Sequence, residues 1–284
     1  MTTPRTVLIT GCSSGLGREA ALALHRLGHR VHATARRPES LADLAALGIS
    51  THALDVTDEE SMTAAVAAVE EADGRVDILI NNAAYGLHVP VETASSREIR
   101  VQFDTNVFGL VRMAQLVLPG MRRAGQGRIV NISSMGGRFS PPGGGFYHAT
   151  KHAVEAISDS LRLEVGGLGV RVVVVQPGPT ITGFGATAVA TMGHEAVPGA
   201  ADPYADFRRE LAAMYAGRTF TRRGGAVSAE TAARVLVRAA TTPRPRARYA
   251  IGAMARSTML AKRLLPDSAF DALMRRSFPL PRTV

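Results

Sequence analysis

The chain has 284 residues, of which 46% are hydrophobic and 20% charged, the make-up of an ordinary globule within reach of one α/β domain. A single cysteine, Cys12, excludes an internal disulfide and with it a secreted disulfide scaffold, so a cytoplasmic setting is expected. The net charge of +9 is concentrated in residues 244–284, where nine basic residues face two acidic ones; the body is close to neutral and offers no basic stripe to nucleic acid.

Residues 1–11 lack the apolar stretch of a signal peptide. Strand-like runs are read at 6–10, 30–35, 50–56, 76–80, 128–133 and 170–176, with a last one at 249–252. The run at 170–176 is too short to span a bilayer. Helical spacing appears at 18–27 (Ala20, Ala21, Leu24, Leu27), at 58–72 behind a Thr57 or Asp58 cap, at 103–118, from Tyr147 through Val165, and at 228–240. The strands are short and uniformly apolar, so both of their faces are expected to be buried. Alternation with helices then makes the sheet parallel and doubly wound, in a single domain spanning 1–284. Residues 183–226 are irregular and rich in Gly, Pro and Met, as in a substrate-binding loop. Residues 253–284 form a basic helical extension. Its apolar stripes (Met259, Leu260, Leu264, Leu265, then Phe270, Leu273, Met274) are expected to pack on the domain or a partner subunit rather than on a membrane.

The first strand runs into Gly11-Cys12-Ser13-Ser14-Gly15-Leu16-Gly17 and then a helix. Glycines here permit a tight turn and close approach of a pyrophosphate, and the helix N-terminus offers free N–H groups to an anion. The spacing is Gly-x3-Gly-x-Gly rather than Gly-x-Gly-x-x-Gly. The second strand ends at Ala35, where an acid would bond the ribose 2′-hydroxyl of NAD; Arg36 and Arg37 follow instead. Guanidinium groups suit a 2′-phosphate, so NADP(H) is favoured over NAD(H).

Tyr147 and Lys151 are four apart and share one face of a helix. A free tyrosine is a poor base near neutrality, and a neighbouring ammonium favours the phenolate, so Tyr147 is a candidate general acid/base. Ser134 ends the fifth strand thirteen residues earlier, at the sheet edge that faces a ligand crevice, where its hydroxyl can donate to a carbonyl. Ser133 is the second candidate for that task. Asn106 sits within a helical stretch, which is unfavourable by propensity and marks it for a specific role.

With these pieces the chain resembles the short-chain dehydrogenase/reductase family in its single-domain form. They are Thr10–Gly17, Asp55, Asn81-Asn82-Ala83, Asn106, Ser134, Tyr147 with Lys151, and Pro177-Gly178 with Thr182, all in family order over residues 5–185. The resemblance implies a Rossmann-type fold and hydride transfer between a nicotinamide and a carbonyl or alcohol. Tyr147 would pass the proton, Ser134 would orient the carbonyl, and Lys151 would also bond the nicotinamide ribose. Asn106 would hold a water linking Lys151 to solvent. Gly11, Ser13, Ser14, Gly15, Leu16 and Gly17 would cradle the pyrophosphate. Arg36 and Arg37 would take the 2′-phosphate, and Asp55 with Val56 would flank the adenine. Asn82, Ala83, Pro177, Gly178, Thr180 and Thr182 would line the rest of the dinucleotide. One departure is Ala84, which stands where the family has glycine.

Phe139, Phe146 and Phe184, with Ser134, are the candidate substrate residues, and the aromatics of 183–225 point to an apolar carbonyl substrate. The eight histidines show no metal-ligand spacing, so no metal is expected. His148 is given no catalytic role, Cys12 is read as a small buried side chain, and Glu155 and Glu164 as solvated helix charges. The resemblance implies a homodimer or homotetramer. Two alternatives stand beside the reductase: an epimerase or lyase using the same tyrosine, and a non-catalytic NADP-binding regulator.

Overall fold

The apolar runs become strands β1 (Thr6–Ile9), β2 (Arg30–Ala35), β3 (Ser50–Ala53), β4 (Ile78–Asn81), β5 (Gly127–Ile132) and β6 (Val170–Pro177) in a computed structural model that describes residues 3–192 and 202–281. Two short strands, β7 (Thr180–Ile181) and β8 (Val227–Ser228), pair with each other, and β9 (Arg248–Ile251) completes the main sheet. That sheet has seven parallel strands in the order β3-β2-β1-β4-β5-β6-β9. The chain winds outward from β1 to β3, then crosses back to β4 on the other side of β1. A crevice therefore opens above the carboxyl ends of β1 and β4.

The helices are α1 (Gly15–Arg26), α2 (Ala42–Ala46), α3 (Glu59–Asp73), α4 (Ser96–Phe103), α5 (Gly109–Arg123), α6 (Gly145–Gly166), α7 (Phe184–Thr191), α8 (Ala205–Met214), α9 (Ala229–Thr241), α10 (Ala253–Leu264) and α11 (Asp267–Ser277). Alternate strand residues serve opposite layers. Val7, Ile9, Ile80 and Val130 pack with Leu24 of α1 and Leu236 of α9. Leu8, Leu79 and Ile129 pack with Val66 of α3 and Met113 and Val117 of α5. Each such side chain, fully buried, contributes about 1.5–3 kcal/mol. The caps follow the sequence: Asp58 accepts from the Glu60 and Ser61 amides, and Ser228 from the Thr231 amide.

Three regions differ from the sequence reading. The helix expected at 103–118 is longer and interrupted: α4 runs into a π turn, Asp104–Phe108, and then into α5. The π turn centres on Asn106, a placement that often marks a functional site. The irregular 183–226 segment carries two helices, and Met192, Phe207, Leu211 and Tyr215 form a small core of their own; its residues 193–201 lie outside the described residues. In the extension, Phe270 and Met274 pack against Phe139 in the loop after β5, whereas Leu260, Leu264 and Leu265 stay exposed. Arg282 of that extension lies outside the described residues.

Candidate active site

A cleft of about 1110 Å³ runs across the carboxyl ends of β1, β4, β5 and β6. Its first wall is the turn after β1. Gly11 and Gly15 have φ of +73° and +63°, the left-handed region that favours glycine. A Cβ on Gly11 would stand 2.9 Å from Ala83 Cα, so the β1 and β4 turns touch only because that atom is missing. Asn82 clamps them: its Nδ2 donates to the Thr10 and Gly11 carbonyls at 3.0 and 2.9 Å. Ser14, at the head of α1, makes no side-chain cap, so the first amides of the helix stay open to an anion. This cradle fits a dinucleotide pyrophosphate. Gly17 does not line the cleft; a Cβ there would meet Asn82 Nδ2 at 2.5 Å and the Gly11 carbonyl at 2.6 Å, so its part is packing. Ala84 needs no glycine backbone, since among the described residues no side-chain-bearing residue has a positive φ.

At the end of β2, Arg36 lines the cleft and Arg37 does not; the Arg37 carbonyl instead accepts from Ser40. Asp55 and Val56 line the same stretch, and the Asp55 carboxylate accepts from the Thr57 amide and hydroxyl. Pro177, Gly178, Thr180 and Thr182 close the far side, with Thr182 against Gly15.

The catalytic candidates meet where α6 passes the end of β5. Lys151 is buried, and its Nζ donates to the Ile132 carbonyl at 2.8 Å and stands 5.9 Å from the centre of the Tyr147 ring. Burial pushes its pKa down to about 8, partly offset by Glu155 one turn on. Glu155 is not the solvated charge the sequence reading made it: it is buried and accepts from Gln176 Nε2 and Arg248 Nε, each at 2.9 Å. Glu164 is exposed, in line with its reading.

Tyr147 is buried as well. Burial pushes its phenol up to about 12, and a hydrogen bond with Ser134 works in the opposite direction. Desolvation therefore sets the direction, opposite to the lowering expected from the sequence, and around neutrality Tyr147 stands as a protonated acid. Ser134 lines the cleft, and its Oγ accepts from the Gly136 amide at 3.1 Å. Ser133 is buried and donates to the Lys151 carbonyl at 3.4 Å, a structural tie.

Asn106 lies behind the wall rather than on it. Its Oδ1 accepts from the Tyr85 amide at 3.1 Å, while its Nδ2 donates to the Tyr85 carbonyl at 2.9 Å and to Thr150 Oγ1 at 3.1 Å. It thus splices the β4 turn to α6.

Phe139 and Phe184, the candidate substrate residues, both line the cleft, and Phe184 sits 5.4 Å from the Tyr147 ring. Phe146 does not line the cleft; it precedes Tyr147 on a helix, so its side chain leaves at a different angle. Sequence reasoning missed several neighbours. His88, buried in the loop after β4, has its ring 5.5 Å from that of Tyr147 and 4.8 Å from that of Tyr215. His148 also lines the cleft, with its ring 5.1 Å from the Tyr147 ring. Burial holds both imidazoles neutral, His88 at about 4 and His148 at about 3. Met274 and Phe278 reach the cleft from the C-terminal extension. The signal that could have exposed His88 is its place just after the carboxyl end of a central strand. Cys12 is buried beneath the loop, and burial pushes its thiol up to about 12, so the packing reading fits. Among the described residues no cluster of His, Cys, Asp or Glu could hold a metal, and no helix is long and apolar enough to cross a membrane.

The short chain dehydrogenase family profile matches residues 5–193. The chain belongs to the short-chain dehydrogenase/reductase family. Along nearly its full length it is 33% identical to the uncharacterized oxidoreductase YbbO of Escherichia coli K12, over 95% of this chain and 94% of that one. It is 44% identical to a 3-ketodihydrosphingosine reductase of Bacteroides thetaiotaomicron over 64% of this chain and 66% of that protein, just under two thirds of its length. The solved structure of a short-chain dehydrogenase from Streptomyces avermitilis superposes with a TM-score of 0.78 at 34% identity, covering 97% of both chains. The protein is therefore an oxidoreductase acting between alcohol and carbonyl groups.

Proposed function

We propose that this short-chain dehydrogenase/reductase reduces an apolar ketone or aldehyde with NADPH, or oxidises the corresponding alcohol in reverse. The observation that carries the reading is the meeting of Tyr147, Ser134 and Lys151 in one buried corner at the end of β5, opening onto an aromatic-walled cleft.

The substrate oxygen accepts hydrogen bonds from the Ser134 hydroxyl and the Tyr147 phenol. When bound, a nicotinamide dinucleotide would supply the hydride for the carbonyl carbon. Tyr147 gives its proton to the oxygen, and the Lys151 ammonium stabilises the phenolate left behind in a site where burial strengthens that attraction. The cradle of Gly11, Gly15 and the α1 amides holds the pyrophosphate. Arg36 at the cleft edge, with no acid at the end of β2, supports NADP(H) as the cofactor. Phe139, Phe184, Tyr215 and Phe220 support an apolar substrate, and the kinship with a ketodihydrosphingosine reductase is in keeping with a long-chain one.

The reading is tested by following NADPH and NADH oxidation against a panel of apolar ketones and aldehydes. Turnover with NADPH at a higher kcat/KM than with NADH is expected; a preference for NADH refutes the cofactor assignment, and no turnover with either refutes the reading. The proposal includes self-association through the α4–α6 face, where Phe108 and Leu163 are exposed, and light scattering checks it: a monomer contradicts it.

A further inference from the structure

His148 follows Tyr147 on α6, yet its bonds lead to another part of the chain. Its Nδ1 lies 3.0 Å from the Gly136 carbonyl oxygen. A carbonyl oxygen only accepts, so Nδ1 carries the proton and donates. The amide of the same Gly136 donates to Ser134 Oγ at 3.1 Å, and the Gly137 amide donates to the Ser134 carbonyl at 3.0 Å, closing the turn that carries the serine. A single residue thus stands between the His148 ring and the Ser134 hydroxyl.

The ring is seated between two glycines. A Cβ on Gly136 would lie 2.0 Å from Nδ1, and one on Gly144 would lie 2.6 Å from Cδ2. Phe139 stacks over it at 6.4 Å with 21° between the planes. No side chain larger than hydrogen fits at either glycine without moving the ring. The imidazole ties the turn of Ser134 itself to the helix bearing Tyr147, beside the Ser133–Lys151 and Arg138–Glu155 contacts that join the flanking residues to the same helix.

We infer that His148 is a positioning residue: it locks the Ser134 turn to the Tyr147 helix so that both hydroxyls reach one carbonyl oxygen. The inference rests on the reductase reading above. A displacement of about 1 Å in such a pair can cost about 100-fold in rate, so the effect falls on turnover rather than on cofactor binding.

The test compares His148→Leu, His148→Asn, His148→Gln and Gly136→Ala in the full-length protein, with kcat and KM for a carbonyl substrate and Kd for NADPH measured by fluorescence. An asparagine amide replaces the Nδ1 donor, whereas a glutamine amide reaches toward Nε2. His148→Leu is expected to lower kcat about 10- to 100-fold with an unchanged NADPH Kd. His148→Asn should recover kcat to within about threefold of wild type, and His148→Gln should not. Gly136→Ala keeps the imidazole but displaces it, so it should lose as much as His148→Leu, and the double variant should lose no more than either. If His148→Leu fails to bind NADPH, the asparagine–glutamine comparison decides. Wild-type turnover in His148→Leu, equal rescue by asparagine and glutamine, or losses that multiply in the double variant each overturn the inference alone. A wild-type protein that turns over none of the carbonyl compounds of the panel overturns the reductase reading, and this inference with it.

Discussion

The two ends of the cleft are built from different material. The cofactor end is mostly backbone: left-handed glycines, uncapped amides of α1, and an Asn82 side chain spent on two carbonyls. The substrate end is side chains gathered from distant segments: His88 after β4, Phe139 after β5, Tyr215 after α8 and Met274 on α11. Backbone that must bend sharply or approach a phosphate demands particular small residues at fixed spacing. An aromatic wall accepts many residues from many places. The first end therefore suits one class of cofactor throughout a family, and the second is free to follow the substrate.

Lys151 joins the two ends, and, Tyr147 aside, the largest effect is expected there. Lys151→Met removes the buried cation and should lower kcat about 100- to 1000-fold, measured by steady-state NADPH oxidation. An effect on NADPH affinity alone would place the lysine wholly at the cofactor end. Arg36→Ala should raise the KM for NADPH about 10- to 100-fold and leave that for NADH within about twofold, since only the former carries the phosphate that a guanidinium bonds. Equal losses for both would break the assignment.

The smallest effect separates the ends by pH. His88 has its pKa lowered from 6.5 to about 4 by burial. The unfolded chain therefore binds a proton below pH 6.5 that the folded chain refuses until about pH 4. Stability is held above pH 6.5 and lost as pH falls through that window, at about 1.4 kcal/mol per pH unit for each such histidine. Urea unfolding of wild type and His88→Phe between pH 7 and 5 should show a shallower decline in the variant. Parallel declines would mean that His88 is not held neutral in the folded protein.

The difference between the ends also explains what could be read in the sequence. The glycine loop, Asn82, Ser134, Tyr147 and Lys151 stood out because backbone geometry or proton chemistry fixes both their type and their spacing. Strands β1, β4, β5 and β6 were legible from apolar runs because the sheet buries both of their faces; the edge strand β3, Ser50–Ala53, departs from that expectation and is half exposed. Phe146 was misplaced because adjacency to Tyr147 on a helix separates side chains rather than joining them. The same rule led to His148 being set aside, although its ring reaches Gly136 across the loop. Glu155 was taken for a surface charge because its partner Arg248 lies 93 residues away, on a strand that brings the two together only after folding. Arg37 was joined to Arg36 by adjacency, but the turn after β2 sends only one of them to the cleft.

The central claim is that Tyr147 passes the proton at a site that binds NADPH independently of it. It is tested most directly by Tyr147→Phe, with NADPH binding and NADPH oxidation measured on the same preparation. An unchanged Kd for NADPH and a kcat lowered at least about 1000-fold are expected, since the variant loses a general acid and its bond to the developing oxyanion together. Turnover within about tenfold of wild type, with NADPH bound as tightly, would contradict it.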